Sequence, residues 1–182
     1  MSMAIQIQKR LRPFGKEAMP DHDPDATADP KRFREAVDGY LELDLPDMAE
    51  AEIQALPVSM ANHAVVLDAR LAVQMHRKQW PAAVETGLTG CASAPGRTGF
   101  FIHTAFCLHE LGRTEEAHLL LLSGPVALRR EPLFHYNMGC YLTVLGHPKE
   151  AADHLREAFR MDDSLRRFAR SDRDLMELWP GM

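Results

Sequence analysis

The sequence predicts an all-α chain of four helix pairs that repeat every 34 residues. Three observations carry that reading. Leu111-Gly112-Arg113-Thr114-Glu115-Glu116-Ala117 and Leu145-Gly146-His147-Pro148-Lys149-Glu150-Ala151 share one pattern, a Leu-Gly step, four residues ending in Glu, then Ala, and they lie 34 apart. Stepping back by the same interval from Ala117 reaches Ala83 and then Ala49, so four alanines share one phase. Other phases agree: Ile53, Leu121 and Leu155 hold one, Phe33, Leu67 and Phe101 another, and Leu43, Leu111 and Leu145 a third in which Arg77 is the exception. A fixed long period of this kind marks a chain built from stacked supersecondary units.

Each element has a local reason. Segments of about 14 residues before each Leu-Gly site carry apolar residues at three- and four-residue intervals, as helices do, and a second such segment follows each break. Gly112 and Gly146 fall at the tight turn between the two helices, where a left-handed backbone costs little without a Cβ. Ala49, Ala83, Ala117 and Ala151 lie one turn into the second helix, where paired helices approach most closely and a larger side chain would push them apart. Pro57, Pro95 and Pro125 fall in or near the joints between units, where a helix must stop. A single pair cannot bury its own faces, so stacking makes the core. The expected units are 30–63, 64–97, 98–131 and 132–165.

The two ends differ from the array. Asp29-Pro30 reads as the start of the first helix. Ahead of it, residues 1–29 form an arm whose Pro20–Asp29 stretch, rich in Asp and Pro, is expected to be flexible. Ile5, Ile7, Leu11 and Phe14 could dock as a short strand or helix, and the sharper alternative lays this arm in the protein's own groove as a placeholder ligand. Residues 166–182 read as a capping segment, because a terminal repeat needs a cover with a polar outer side. Ser171 is the expected N-cap ahead of Asp172 and Asp174, with Leu175, Leu178 and Trp179 covering the end of the array.

Composition excludes several classes. The 182 residues suit one domain, and 46% hydrophobic with 26% charged residues is ordinary for a soluble protein. No apolar run approaches the roughly 20 residues of a membrane span. Neither a secretory signal nor a membrane partner is expected. Cys91, Cys107 and Cys140 are odd in number and widely spaced, which fits reduced thiols in the cytoplasm. A net charge of −5 argues against nucleic acid, whose phosphates are bound through Lys and Arg. The local group Arg166, Arg167, Arg170 and Arg173 reads as a solvated face near helix ends, with a patch for an acidic partner as the alternative.

The period and residue classes together resemble the tetratricopeptide repeat, a 34-residue helix–turn–helix unit. That resemblance implies a right-handed α-solenoid of about four units plus a C-terminal capping helix. It is good for units one, three and four. Unit two departs from it at Arg70, Gln74 and Arg77, which fall at usually apolar positions, and at Gly87, where a large core residue is usual. Trp80 is expected to supply some of that missing volume. From Trp80 onward the chain is also similar to a family of small bacterial tetratricopeptide-repeat proteins. The residues that carry this are Phe101-Ile102-His103, Leu108 to Thr114, Tyr136-Asn137-Met138-Gly139-Cys140-Tyr141 and the acidic, Trp-terminated tail Asp172 to Trp179.

Catalytic motifs fail on inspection. His109-Glu110-Leu111-Gly112-Arg113 begins like the zinc-protease helix, but that chemistry needs a second imidazole one turn on, where Arg113 stands. His103 and Cys107 are one turn apart and Cys140 could lie on the neighbouring unit, a weak soft-metal signal against which buried structural cysteine is the commoner case. No glycine-rich loop follows a strand. No cofactor or metal is therefore expected.

What remains is a surface. The resemblance implies that the first helix of each unit lines a concave face, with Val65, Asp68 and Met75 from unit two, Ile102, His103, Phe106, His109 and Glu110 from unit three, and Tyr136, Asn137, Cys140 and Thr143 from unit four. Aromatics and Met beside a few polar groups suit a peptide, and inter-repeat core is the equal alternative for any one of these residues. Asn137 matches the backbone-gripping asparagine of peptide-binding members, whereas Asp38, Gly99 and His103 stand where a carboxylate clamp needs other groups. The expected function is a cytoplasmic, non-catalytic scaffold, monomer or weak dimer, that binds a protein or peptide. A secretion-type chaperone and a metal enzyme using His103, His109 and Cys140 are the rivals.

Overall fold

The computed structural model describes residues 30–176, and every regular element among them is helical. The arm before residue 30, with Ile5, Ile7, Leu11 and Phe14, and the tail residues Leu178 and Trp179 lie outside the described residues. First helices begin at Pro30, Ala64, Thr98 and Pro132, and second helices at Pro46, Trp80, Thr114 and Pro148, so each start recurs at the 34-residue interval. Among the described residues no helix is long and apolar enough to cross a membrane.

The chain divides into two compact units, Met1–Gln79 and Trp80–Met182. The described part of the first holds α1 (Pro30–Glu42), α2 (Pro46–Gln54), a 3₁₀ turn (Val58–Met60) and α3 (Ala64–His76). Its core is Phe33 and Val37 of α1, Ala49 and Ile53 of α2, and Val66, Ala69 and Val73 of α3. Arg77 breaks the leucine phase for a visible reason. Its guanidinium pairs with Asp47 at 2.6 Å and donates to the Pro46 carbonyl at 3.2 Å, tying the end of α3 to the start of α2.

The second unit holds α4 (Trp80–Ser93), α5 (Thr98–Glu110), α6 (Thr114–Ser123), a 3₁₀ turn (Val126–Arg130), α7 (Pro132–Val144), α8 (Pro148–Met161), the short α9 (Leu165–Ala169) and a last 3₁₀ turn (Arg173–Leu175). Gly87 is a site of close approach. A Cβ there would lie 2.0 Å from the Thr104 hydroxyl oxygen, so α4 and α5 pack nearly backbone to side chain. The half-buried Trp80 meets Phe106 edge-on, ring centres 5.8 Å apart.

The turn inside each helix pair is the same device four times. Asp44, Lys78, Gly112 and Gly146 all have positive φ, between 56° and 82°, and they too are 34 apart. In each case the following N–H reaches back five residues: Leu45 to Tyr40, Gln79 to Gln74, Arg113 to Leu108 and His147 to Leu142, at 2.8–2.9 Å. This is the Schellman cap, which satisfies carbonyls that a helix end leaves without partners. The alanines in phase are each 0% exposed, and the phases of Ile53 and Phe33 are also buried. The leucine phase behaves differently: Leu43 is exposed and Leu111 and Leu145 are half-buried, since Leu111 and Leu145 stand at the C-caps, where the chain leaves the helix.

Lys78→Gly should raise stability by up to about 1 kcal/mol, because a left-handed backbone is costly for a residue with a Cβ, whereas Gly146→Ala should cost about 1 kcal/mol. Ala117→Leu should cost roughly 1–3 kcal/mol by overpacking. Urea denaturation of the three variants beside the parent chain measures all of these.

Candidate functional site

Helix α7 presents Tyr136 and Cys140 one turn apart, hence on one face. After α9 the chain turns back, and the 3₁₀ turn Arg173–Leu175 packs on α7. The buried Asp172 leads this turn. One of its oxygens accepts the Tyr136 hydroxyl at 2.6 Å and the Cys140 thiol at 3.5 Å. The other accepts the Asp174 backbone N–H at 3.2 Å, so Asp172 rather than the expected Ser171 is the N-cap. The reason is geometric: Asp172 has the extended backbone of a cap, and the Ser171 hydroxyl is spent on the Phe168 carbonyl at 3.2 Å. Leu175, the last residue of this turn, is buried.

Asp174 adds a second anchor. Its carboxylate is 2.9 Å from Nε2 of His109 on α5, and Nδ1 of that ring is 2.9 Å from the Thr114 hydroxyl. The His109 ring also packs on Tyr141, centres 4.9 Å apart. The C-terminal segment therefore occupies the face where Tyr136, Cys140 and His109 were expected to meet a partner.

Burial sets the electrostatics. The Asp172 carboxyl is held above its usual range, first by burial, with Asp174 adding and the Tyr136 hydrogen bond opposing. Tyr136 is pushed up by burial first and then by Cys140 and Asp172. Burial likewise raises the Cys140 thiol, with Asp172 and Asp174 adding, and pushes Cys107 up to about 12 and Cys91 up to about 11. A thiol held protonated is a poor nucleophile. The Cys140 sulfur and the Asp172 and Asp174 carboxylates lie within 4.8 Å of one another, close enough for one metal ion to bridge. Each of these groups already has a hydrogen-bond partner in the network, and the raised thiol opposes the thiolate a metal needs.

The remaining expected residues separate by burial. Asp68 is 5% exposed and paired with Arg34 at 3.0 Å, a guanidinium that Asp38 also holds at 2.7 Å. Met75, Ile102 and Asn137 are buried. Val65, His103, Phe106 and Thr143 are half-buried, and Thr143 spends its hydroxyl on the Gly139 carbonyl. Glu110 is exposed. Tyr141 carries part of the family resemblance in the sequence but is not among the expected site residues. It is 1% exposed, and its hydroxyl has no hydrogen-bond partner among the described residues. Of the arginine group, all four members are exposed, Arg166 lying 4.8 Å over the Phe159 ring and Arg167 5.2 Å over Phe168.

No protein-family model matches the chain, and no curated protein is similar to it in sequence. Solved structures are similar in fold. MamA RS-1 aligns with a TM-score of 0.58 over 75% of this chain and 76% of its own, at 18% identity. MamA MSR-1 gives 0.56 over 79% and 82%, also at 18% identity. At that identity the likeness shows a tetratricopeptide-like helical fold and nothing finer.

One chemical change at two tyrosines should give opposite results. Tyr136→Phe leaves the buried Asp172 carboxylate short of a donor and should cost about 1.5–3 kcal/mol. Tyr141→Phe removes a buried hydroxyl without a partner and should be neutral or stabilising by up to about 1 kcal/mol. The first cost depends on pH. A carboxyl whose folded pKa is raised contributes most below its ordinary value of 3.8, and that contribution is lost as pH rises through the folded value. Removing the tyrosine donor raises the folded value further, so the penalty should be small in acid and reach its full size above the folded pKa. Denaturation of both variants across pH checks the sign.

Proposed function

We propose that this chain is a non-catalytic scaffold that holds a peptide or helix of a protein partner on the faces of its first helices in the second unit. One observation supports this above the others. The face of α7 already holds a peptide segment in cis, an acidic turn fixed by Asp172 on Tyr136 and Cys140 and by Asp174 on His109. The face is thus chemically able to receive extended backbone with acidic side chains. With that part filled, the partner's share falls to α5, where His103 and Phe106 are half-buried and Glu110 is exposed. A few buried apolar anchors beside polar groups at the rim are what a peptide site needs. Three buried free cysteines with raised thiols support a structural role for these residues and a reducing compartment such as the cytoplasm.

Capture from a lysate of the source organism tests the reading, using the full chain beside a His103→Glu, Glu110→Arg double variant. The expected result is a specific protein whose binding falls at least about tenfold, or about 1.4 kcal/mol, while the variant melts as the parent does. Equal capture by a folded variant would remove α5 from the site. A partner taken up only when unfolded would turn the reading to the secretion-type chaperone.

A further inference from the structure

Away from that face, two histidines meet between helices α7 and α8. His135 of α7 and His154 of α8 bring their Nδ1 atoms to 3.0 Å, with ring centres 5.2 Å apart. Nε2 of His135 lies 3.0 Å from the Arg129 carbonyl. A carbonyl can only accept, so that nitrogen carries the hydrogen, and in the neutral ring the Nδ1 lone pair points at His154. A backbone carbonyl fixing one ring nitrogen while the other is offered is how metal-ligating histidines are held. Phe134 packs edge-on against both rings, which restricts their rotation.

We propose that His135 and His154 form a two-imidazole binding site for a borderline transition-metal dication such as Zn²⁺, Cu²⁺ or Ni²⁺. The spacing fits. Two imidazole nitrogens at about 2.0–2.1 Å from one ion, with an angle between 90° and 110°, are about 2.9–3.4 Å apart. Imidazole sets suit these three ions, and neutral rings are required. His154 is kept towards the neutral form, first by burial and then by His135 and His118, with Asp153 and Glu150 opposing. Glu150, Asp153 and Glu157 supply carboxylate charge around the dication, although Asp153 is paired with Arg156 and Glu157 with Arg160. On binding, His154 passes from its Nδ1–H to its Nε2–H tautomer, so two neutral rings coordinate without net proton release. Water fills the remaining positions.

The test uses the full chain without a polyhistidine tag, titrated with Zn²⁺ by calorimetry and with Co²⁺ by optical spectroscopy. One equivalent should bind at protein concentrations of about 10 µM. His135→Ala and His154→Ala should each weaken binding by more than about a hundredfold, beyond the loss usual for a residue that only orients a ligand. His154→Gln keeps a hydrogen-bonding group, so it should melt as the parent does and still lose the metal. His118→Ala should leave the affinity unchanged, and a loss as large as that of His154→Ala would overturn the two-imidazole set. Absence of binding at that concentration, or equal affinity in His154→Gln, would overturn the site. So would a thiolate-to-cobalt charge-transfer band that Cys140→Ala abolishes, since the ion would then lie at Cys140, Asp172 and Asp174.

Discussion

A carboxylate buried away from water must be surrounded by donors or give up its charge, and Asp172 meets that demand with groups from two directions. The Tyr136 hydroxyl and Cys140 thiol come from α7, and the Asp174 amide comes from the turn that Asp172 itself caps. The carboxylate therefore welds the last 3₁₀ turn to α7. The consequences reach beyond the cap. Tyr136 and Cys140 are buried because the turn lies on them, and His109 is drawn in through Asp174. That face of α7 is committed to the chain's own end, whereas on α5 His103 and Phe106 are half-buried and Glu110 is exposed.

The repeat itself rests on simpler constraints. Alanine recurs at 49, 83, 117 and 151 because nothing larger fits, and each is fully buried. Close packing makes such positions strict, since an extra methylene has nowhere to go. This is why the fold was legible: the small residues and the turn glycines are local statements, repeated at a fixed interval. The 34-residue spacing of helix starts was in the sequence for the same reason. Half of the turn signal was hidden, however. Asp44 and Lys78 adopt the left-handed backbone that Gly112 and Gly146 advertise, a conformation that aspartate tolerates and lysine does not announce. The repeated hydrogen bond from the next residue to the carbonyl five back holds all four turns alike, whatever side chain is present.

The site was much less legible. Periodicity assigns a residue to a face of its helix but cannot say what covers that face. The repeat resemblance puts Tyr136 and Cys140 on one inward face as partner residues, whereas in the structure both donate to Asp172, more than thirty residues further on. The signal that could have found it is the pairing of a polar tyrosine on a first helix with a cap-forming aspartate in the tail. The His135–His154 pair was invisible for a related reason: the residues are 19 apart on two helices, and only the antiparallel packing of α7 and α8 brings them to 3.0 Å.

The claim on which this account turns is that the C-terminal turn is a bound segment holding α7, and deleting residues 172–182 tests it most directly. Amide hydrogen exchange along α7, with the melting temperature measured alongside, is the readout. The account predicts a lower melting temperature and a loss of protection concentrated around Tyr136 to Tyr141. An unchanged melting temperature with α7 as protected as in the full chain would contradict it.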